Sequence, residues 1–201
     1  MSQAPRIIAA IVRATLQDLN AADEKLGQRV RRALDPEALR AIERSSGLSW
    51  LPVEIDVMLT ETLFELAGAF AAKRTLRSMM TTSVGSPLMR NVVQTAMRLH
   101  GSDVARLLTW TPKVWALVYR NCGTVTIESD GLGSVIRLRE LPEVLCKSPV
   151  YLTGTAATIE AFLQAIDVDA TVRLEGPRRD TRQASFRLRW MRSGTSLPAP
   201  G

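Results

Sequence analysis

Few residues of this chain have the types and the spacing that chemistry requires. His100 is the only histidine, and a catalytic triad or a facial metal triad needs a histidine with defined partners. It stands where a helical pattern stops, so it is better placed to interact with exposed helix carbonyls than to act as a ligand. Cys122 and Cys146 are far apart, unlike the tight cysteine pairs of zinc sites. We expect Cys122 to be a buried, structural cysteine.

Glycines and carboxylates give equally little sign of a reaction centre. Gly131-x-Gly133 is not followed by a helical pattern, so it indicates a hairpin turn and not a phosphate-binding loop. Gly154 precedes a helical pattern but no third glycine follows in register. Asp167 and Asp169 follow a predicted helix without a second acidic cluster, which favours a solvated loop. We therefore predict no catalytic, metal-binding or cofactor-binding residue, and no enzymatic turnover.

Basic residues concentrate at the C-terminal end of the chain. The net charge is +6, and residues 171–201 contain seven basic and two acidic side chains. A surface of this kind attracts an acidic partner, an anionic lipid or a phosphate backbone. It is also an ordinary solvated hairpin if Glu128 or Glu175 on neighbouring strands neutralises it locally. The candidate interaction patch consists of Arg178, Arg179, Arg182, Arg187 and Arg189.

The elements that position these residues are helices first. Helical periodicity runs from Arg6 to Leu19. Trp50-Leu51-Pro52 is predicted to open a later helix, and the wide apolar stripe of that helix places it at the centre of the core. Methionines on these segments either fill the core or line an adaptable apolar pocket. These methionines are Met58, Met79, Met80, Met89 and Met97. The residues expected to be buried together are Trp50, Leu59, Leu63, Leu66, Phe70, Trp115, Phe186 and Leu188.

Period-two patterns replace the helical ones in the second part of the chain. Strands are predicted at Thr124–Glu128, Ser134–Leu138, Thr171–Glu175 and Ser185–Trp190, with a helix at Thr155–Ile166 and a short strand at Val150-Tyr151-Leu152. Helices followed by a ββαββ order predict an α+β fold. In it, an N-terminal helical layer packs on a four-stranded antiparallel sheet. We expect one domain over residues 1–193 and a flexible tail over 194–201.

Composition agrees with a globular protein. The chain has 201 residues, of which 46% are hydrophobic and 23% are charged. Two cysteines and the lack of a signal-peptide pattern argue against a secreted disulfide-rich fold. No apolar run approaches the roughly 18 residues of a transmembrane helix. We expect a cytoplasmic protein.

Several aromatic and proline positions carry a family resemblance over roughly residues 5 to 190. They are Trp50-Leu51-Pro52-Val53-Glu54, Ser86-Pro87, Pro112-x-x-Trp115-x-x-x-Tyr119-x-x-x-Gly123 and Ser185-Phe186-Arg187-Leu188-Arg189-Trp190. The chain resembles an uncharacterised family of about 200-residue bacterial proteins that is multiplied in myxobacteria. That family is distantly similar to vinyl-reductase-type ligand-binding domains and to TRAPP subunits, which tether vesicles. The resemblance implies a TRAPP-like helical layer over a four-stranded antiparallel sheet, often dimeric through helices, with no established activity.

The resemblance also bears on ligands. Relatives in the vinyl-reductase group carry cysteines that could bind metal near the last strands, whereas this chain has no cysteine after Cys146. Gas sensors built from helices and a sheet use one histidine for haem and a Tyr-x-Ser-x-Arg signature for its propionates. That signature is absent, so we expect no haem. TRAPP subunits can hold an acyl chain near a cysteine, but no motif maps that residue onto Cys122.

The expected function is a non-enzymatic regulatory or scaffolding module that binds a partner protein, as a homodimer and without a cofactor. One alternative is a small-molecule sensor with an apolar pocket between helices and sheet. The other is a nucleic-acid or membrane-surface binder that uses the basic C-terminal hairpin. We do not expect nucleic acid to be the main partner, because the charge outside that hairpin is close to balanced.

Overall fold

The computed structural model describes residues 3–84, 95, 98, 103–129, 133–178 and 180–190, with the side chains of 80–84 and 177–178 left aside. In chain order the elements are β1 (Arg6–Ile8), α1 (Ala9–Ala22), α2 (Glu24–Ala33), α3 (Pro36–Arg44), β2 (Trp50–Pro52), α4 (Val53–Ala67), α5 (Ala69–Val84), α6 (Val104–Leu108), α7 (Thr111–Val118), β3 (Tyr119–Arg120), β4 (Thr124–Ser129), β5 (Gly133–Arg139), α8 (Glu143–Lys147), α9 (Pro149–Ala165), β6 (Ala170–Arg178) and β7 (Gln183–Trp190). The predicted features that fall outside the described residues are Ser86-Pro87, Met89, Met97, His100, Gly131, Arg179 and the tail 194–201, together with the side chains of Met80 and Arg178.

The larger sheet has four strands in the order β4-β5-β7-β6, and every neighbouring pair is antiparallel. Phe186 on β7 lies opposite Ile136 on one side and Leu174 on the other. Because side chains alternate along a strand, these residues share the face that the helices cover. The predicted α+β fold with a four-stranded antiparallel sheet is confirmed.

A second, smaller sheet was not predicted. Its order is β2-β1-β3, and Ile7 lies opposite both Leu51 and Tyr119. The prediction that a helix begins at Arg6, and that Trp50-Leu51-Pro52 opens another, was therefore wrong: α1 begins at Ala9 and α4 at Val53. Ile7 and Ile8 are buried, and a short apolar run buried in a sheet has the same sequence pattern as a buried helical turn.

The segment Val150-Tyr151-Leu152 is helical, which corrects the predicted strand. α9 begins at Pro149, and the hydroxyl of Ser148 accepts a hydrogen bond from the Tyr151 N–H at 3.1 Å. Proline in the first turn and serine at the cap are the ordinary signals of a helix start. Thus α9 extends the predicted helix toward the N-terminus. Within the described ranges, no helix combines the length and the apolar character needed to cross a membrane.

The expected core is largely present. Leu59, Leu63, Phe186 and Leu188 are buried, and a second set of partly buried residues packs against them. That second set includes Trp50, Leu66 and Trp115. Phe70, however, is 81% exposed, so the prediction that it is buried was wrong. The α4 helix ends at Ala67 and is followed by Gly68, which has φ +77°, and this break shifts the phase of the apolar stripe before α5 begins.

Truncating Leu63 to alanine tests this core. Leu63 is 1% exposed on the buried side of α4, so Leu63→Ala should lower the free energy of unfolding by about 2–5 kcal/mol in chemical denaturation. Phe70→Ala is the control, because its side chain is exposed and its loss should change stability little. Equal effects of the two substitutions would contradict this packing.

Candidate functional site

A cavity of about 270 Å³ lies between the inner face of the larger sheet and the helices. Ile136, Leu138 and Phe186 form its larger-sheet side, and residues of α1, α4, α5, α7 and α9, together with Tyr119 of β3, form the rest. Most of the lining side chains are apolar. A concave, mainly apolar space with a few polar groups is the usual form of a small-molecule site.

Gly154 allows α9 to approach the helices that surround this cavity. A Cβ atom at this position would lie 3.0 Å from Thr60 Cγ2 and 3.5 Å from Leu76 Cδ1. Gly154 is therefore the position at which α9 packs against α4 and α5. Its role is helix packing, which agrees with the expectation that it is not part of a phosphate-binding loop.

The polar end of the cavity is a hydrogen-bonded chain of Asp56, Tyr151 and Tyr119. The Tyr151 hydroxyl donates to Asp56 Oδ2 at 2.7 Å, and the hydroxyls of Tyr119 and Tyr151 are 2.7 Å apart. Since the proton of Tyr151 is directed at the carboxylate, Tyr119 is the donor to Tyr151. Asp56 is 7% exposed and Tyr151 is 4% exposed, so these two groups are secluded from solvent, while Tyr119 is partly buried.

Three separate elements bring these groups together. Asp56 lies in the first turn of α4, where the helix dipole favours a negative charge. Tyr151 is set by the Ser148 cap of α9, and the Ser148 hydroxyl in turn donates to Glu61 on α4 at 2.6 Å. Tyr119 is held in β3 by its pairing with Ile7. This polar end therefore exists only when the smaller sheet and both helices are assembled.

Burial controls the protonation of this chain. Burial raises the pKa of Asp56 from 3.8 to about 6, and the hydrogen bond from Tyr151 offsets part of that rise. The pKa values of Tyr119 and Tyr151 lie above the ordinary tyrosine value, first because of burial and then because of the Asp56 charge. Both phenols therefore remain protonated at neutral pH and act as hydrogen-bond donors.

Trp115 adds a further donor to the wall of the cavity. Its ring lies 4.1 Å from that of Tyr119, centroid to centroid, with 31° between the planes. The indole Nε1 is buried and has no acceptor among the described residues. Buried donors normally have a partner, so this indole N–H is an exception in the wall of the cavity.

Both cysteines are buried, which was expected of Cys122. The Cys122 thiol lies 3.6 Å from the Arg6 carbonyl oxygen and 3.3 Å from that of Arg120, and donates to them. Burial raises the pKa of Cys122 to about 11, so its reactive thiolate form is suppressed. Burial also raises the pKa of Cys146. A structural role fits both.

The predicted acidic loop also behaves as expected. Asp167 and Asp169 are exposed where α9 ends, and Asp167 has φ +60°. Among the described residues, no group of three or more histidine, cysteine or acidic side chains is placed to hold a metal ion. Gly133 begins β5, as a hairpin position would.

The structure separates the members of the candidate arginine patch. Arg187 is ion-paired with Glu175, with Nη2 at 3.4 Å from Oε2, so local neutralisation applies to it. Arg189 is exposed. Arg182 turns to the backbone instead, since its Nε donates to the Leu141 carbonyl at 2.6 Å. The patch of five therefore stays a prediction.

The strand register reveals other arginines that sequence reasoning missed. Arg173 lies directly opposite Arg187, and Arg137 opposite Ser185. Strand alternation places these residues on the face of the larger sheet that points away from the helices, which we call the outer sheet face. Its arginines are Arg137, Arg139, Arg173, Arg187 and Arg189, and its described acidic residues are Glu128 and Glu175. The period-two alternation of side chains along β5 and β6 was sufficient to predict these outward-facing arginines from the sequence.

The Asp56 site was missed as well, although a signal existed. Asp56 precedes Leu59 by three residues and Leu63 by seven, so it lies on the apolar stripe of the central helix. A carboxylate on a buried stripe is uncommon and marks a candidate site. Nothing in the sequence indicated that Tyr119 and Tyr151 would be its partners, because they come from distant elements.

Comparison with known proteins shows likeness of fold only. No protein-family model matches the chain, and no curated protein matches it. A mutant Fe(II) unliganded H-NOX protein from K. algicida is similar, with a TM-score of 0.59 and 10% identity over 93% of this chain and 98% of that one. An H-NOX structure used to probe haem distortion has a TM-score of 0.53 and 10% identity over 92% and 95% of the two chains.

A TRAPP subunit is also among the similar structures. It is subunit 3 of the trafficking protein particle complex from Naegleria fowleri, covalently bound to palmitic acid. The TM-score is 0.44 with 15% identity, over 69% of this chain and 94% of that one. A likeness at this level carries no functional argument.

Haem is named for one of the similar H-NOX structures, but the described residues of this chain do not fit a haem group. Haem iron needs an axial ligand such as histidine, thiolate or tyrosinate, and the described cavity lining has no histidine or cysteine. Its tyrosines, Tyr119 and Tyr151, are protonated and hydrogen-bonded. That lining also has no lysine or arginine to pair with propionates, and it contains the carboxylate of Asp56.

Stability should depend on pH through Asp56. A carboxyl with a raised folded-state pKa stabilises the fold below its unfolded pKa of 3.8, and this contribution is lost as pH rises through about 6. In wild type we expect a loss of about 3 kcal/mol over this window relative to Asp56→Asn, measured by urea unfolding at several pH values. The exposed Asp169→Asn variant should behave as wild type does. A wild-type curve parallel to that of Asp56→Asn would contradict this.

Proposed function

We propose that this chain is a non-enzymatic binding module that holds a small, largely apolar molecule in the cavity between its helices and the larger sheet. The observation that carries the proposal is the cavity itself, with apolar walls and one polar end formed by Asp56, Tyr119 and Tyr151. Such walls supply affinity through apolar burial, while the polar end fixes orientation.

The proposed role is regulatory, in the cytoplasm, as in the small-molecule-sensor alternative from the sequence. The cavity is bounded by helices and by both sheets, since Tyr119 belongs to β3 and Phe186 to β7. An occupant therefore contacts strands of both sheets as well as helices. A ligand that contacts all of these elements stabilises the packing in which they surround the cavity, relative to packings in which they lie further apart. We also propose that the chain is a member of the uncharacterised bacterial family that its sequence resembles.

Filling the cavity tests the ligand-binding proposal. Ala14→Phe places a ring in the cavity from α1, whereas Ala21→Phe places the same ring on the exposed side of that helix. Mass spectrometry of organic extracts should find a small molecule with wild type and with Ala21→Phe, and lose most of it with Ala14→Phe. Equal recovery from Ala14→Phe, or none from wild type, would count against the proposal.

A second candidate is binding of an acidic partner protein at the outer sheet face. The observation that favours it is the excess of five arginines over two glutamates on that face. Such a field raises association rates with an acidic surface. A second copy of this chain is a poor occupant of that face because the net charge is +6. The homodimer implied by the family resemblance would have to use helices.

Binding of nucleic acid or of a membrane surface at the outer sheet face is less well supported than binding of an acidic protein. Binding of single strands relies on aromatic side chains on which bases stack, and the described outward positions of the four strands hold no phenylalanine, tyrosine or tryptophan. Val135 is the apolar residue at the centre of this face, and it is 6% exposed. It therefore offers no apolar surface for insertion among lipids.

Charge reversal tests the partner proposal. The triple variant Arg139→Glu, Arg173→Glu and Arg189→Glu changes exposed side chains, so folding should change little. Recovery of an acidic partner in pull-downs from the native cell should fall at least about tenfold. The matched control reverses Arg32, Arg40 and Arg44, which are exposed on α2 and α3. Equal loss of the partner with both triple variants would mean that net charge, and not the outer sheet face, determines binding.

A further inference from the structure

The carboxylate of Asp56 is a buried charge without a cation. It lines the cavity and is 7% exposed. Among the described residues no lysine, arginine or histidine forms an ion pair with it, and the hydrogen bond from Tyr151 is its one side-chain contact of opposite polarity. Buried charges in proteins are normally paired, because an unpaired one is expensive to desolvate.

We propose that the cavity selects a small apolar amine, whose ammonium group pairs with the carboxylate of Asp56. This rests on the proposed function and names the ligand class of the same site. An ionised carboxylate has about four acceptor positions on two oxygens, and Tyr151 donates to Oδ2. An ammonium group has three donors and no acceptor, so it complements the acceptor capacity that remains.

Anionic ligands are disfavoured by the same geometry. A carboxylate or phosphate in this cavity would face Asp56 with no cationic side chain in the described lining to compensate. Like charges at short range in a low-dielectric space repel strongly. The described lining therefore favours a cationic occupant over a fatty acid or another anion.

Aromatic rings around the cavity support a cation as well. Trp115, Tyr119, Tyr151 and Phe186 all contribute to its wall. The face of an aromatic ring attracts an ammonium group electrostatically, and tryptophan does so most strongly. The apolar part of the amine then packs against Ile136 and Leu138 on the sheet side.

The cavity has room for an amine with about one ring. An apolar cavity of about 150 Å³ is enough to bind benzene, and this one measures about 270 Å³. Benzylamine therefore fits, and benzyl alcohol and benzoate are its neutral and anionic counterparts of nearly the same shape. The three differ mainly in charge, which makes them suitable probes.

Calorimetric titration of the full chain with these three probes tests the proposal. Benzylamine should bind wild type at least about tenfold more tightly than benzyl alcohol, the advantage expected of a hydrogen bond between charged groups. Benzoate should not bind. In Asp56→Asn, which keeps the shape and the acceptor oxygen for Tyr151, the preference for the amine should fall to about one, while benzyl alcohol still binds.

Each outcome separates the amine proposal from the cavity proposal. If benzyl alcohol binds wild type as tightly as benzylamine, or if Asp56→Asn keeps the amine preference, amine selection is wrong and the apolar site stands. If none of the three binds, and Ala14→Phe behaves like wild type, both proposals fall. If Asp56→Asn does not fold, the wild-type ratio of amine to alcohol binding still decides.

Discussion

The placement of one carboxylate inside the fold governs the rest of this structure. Asp56 is buried on the central helix, and its charge is tolerated because Tyr151 donates to it and Tyr119 supports Tyr151. Each tyrosine is fixed by a different device, a serine cap for Tyr151 and a strand pairing for Tyr119. The small sheet, the helix start at Pro149 and the position of α4 are thus conditions for satisfying a single charged group.

The two faces of the larger sheet have opposite electrostatic character. The inner face is apolar and closes a cavity whose described lining carries a carboxylate and no cation. The outer face carries arginines with only partial neutralisation by Glu128 and Glu175. A single sheet therefore separates a site suited to a small cation from a surface suited to an acidic macromolecule.

Sequence patterns predicted the parts of this fold that depend on local periodicity. The four strands and the central stripe through Leu59 and Leu63 repeat at fixed intervals, so their buried faces could be inferred. Patterns failed where pairing between distant segments decides the outcome, as in β1 and β2, and where a break at Gly68 changes the phase and exposes Phe70. The site required three elements to meet, which no local pattern encodes.

The close approach at Gly154 constrains how homologous chains can vary. Because a Cβ there would lie 3.0 Å from the methyl group of Thr60, an alanine at 154 is accommodated most simply by a serine at 60, which lacks that methyl. The two positions should therefore change together during evolution. Since both also line the cavity, this pair of residues acts as a sequence marker, by which relatives with a differently sized cavity can be sorted without solving their structures.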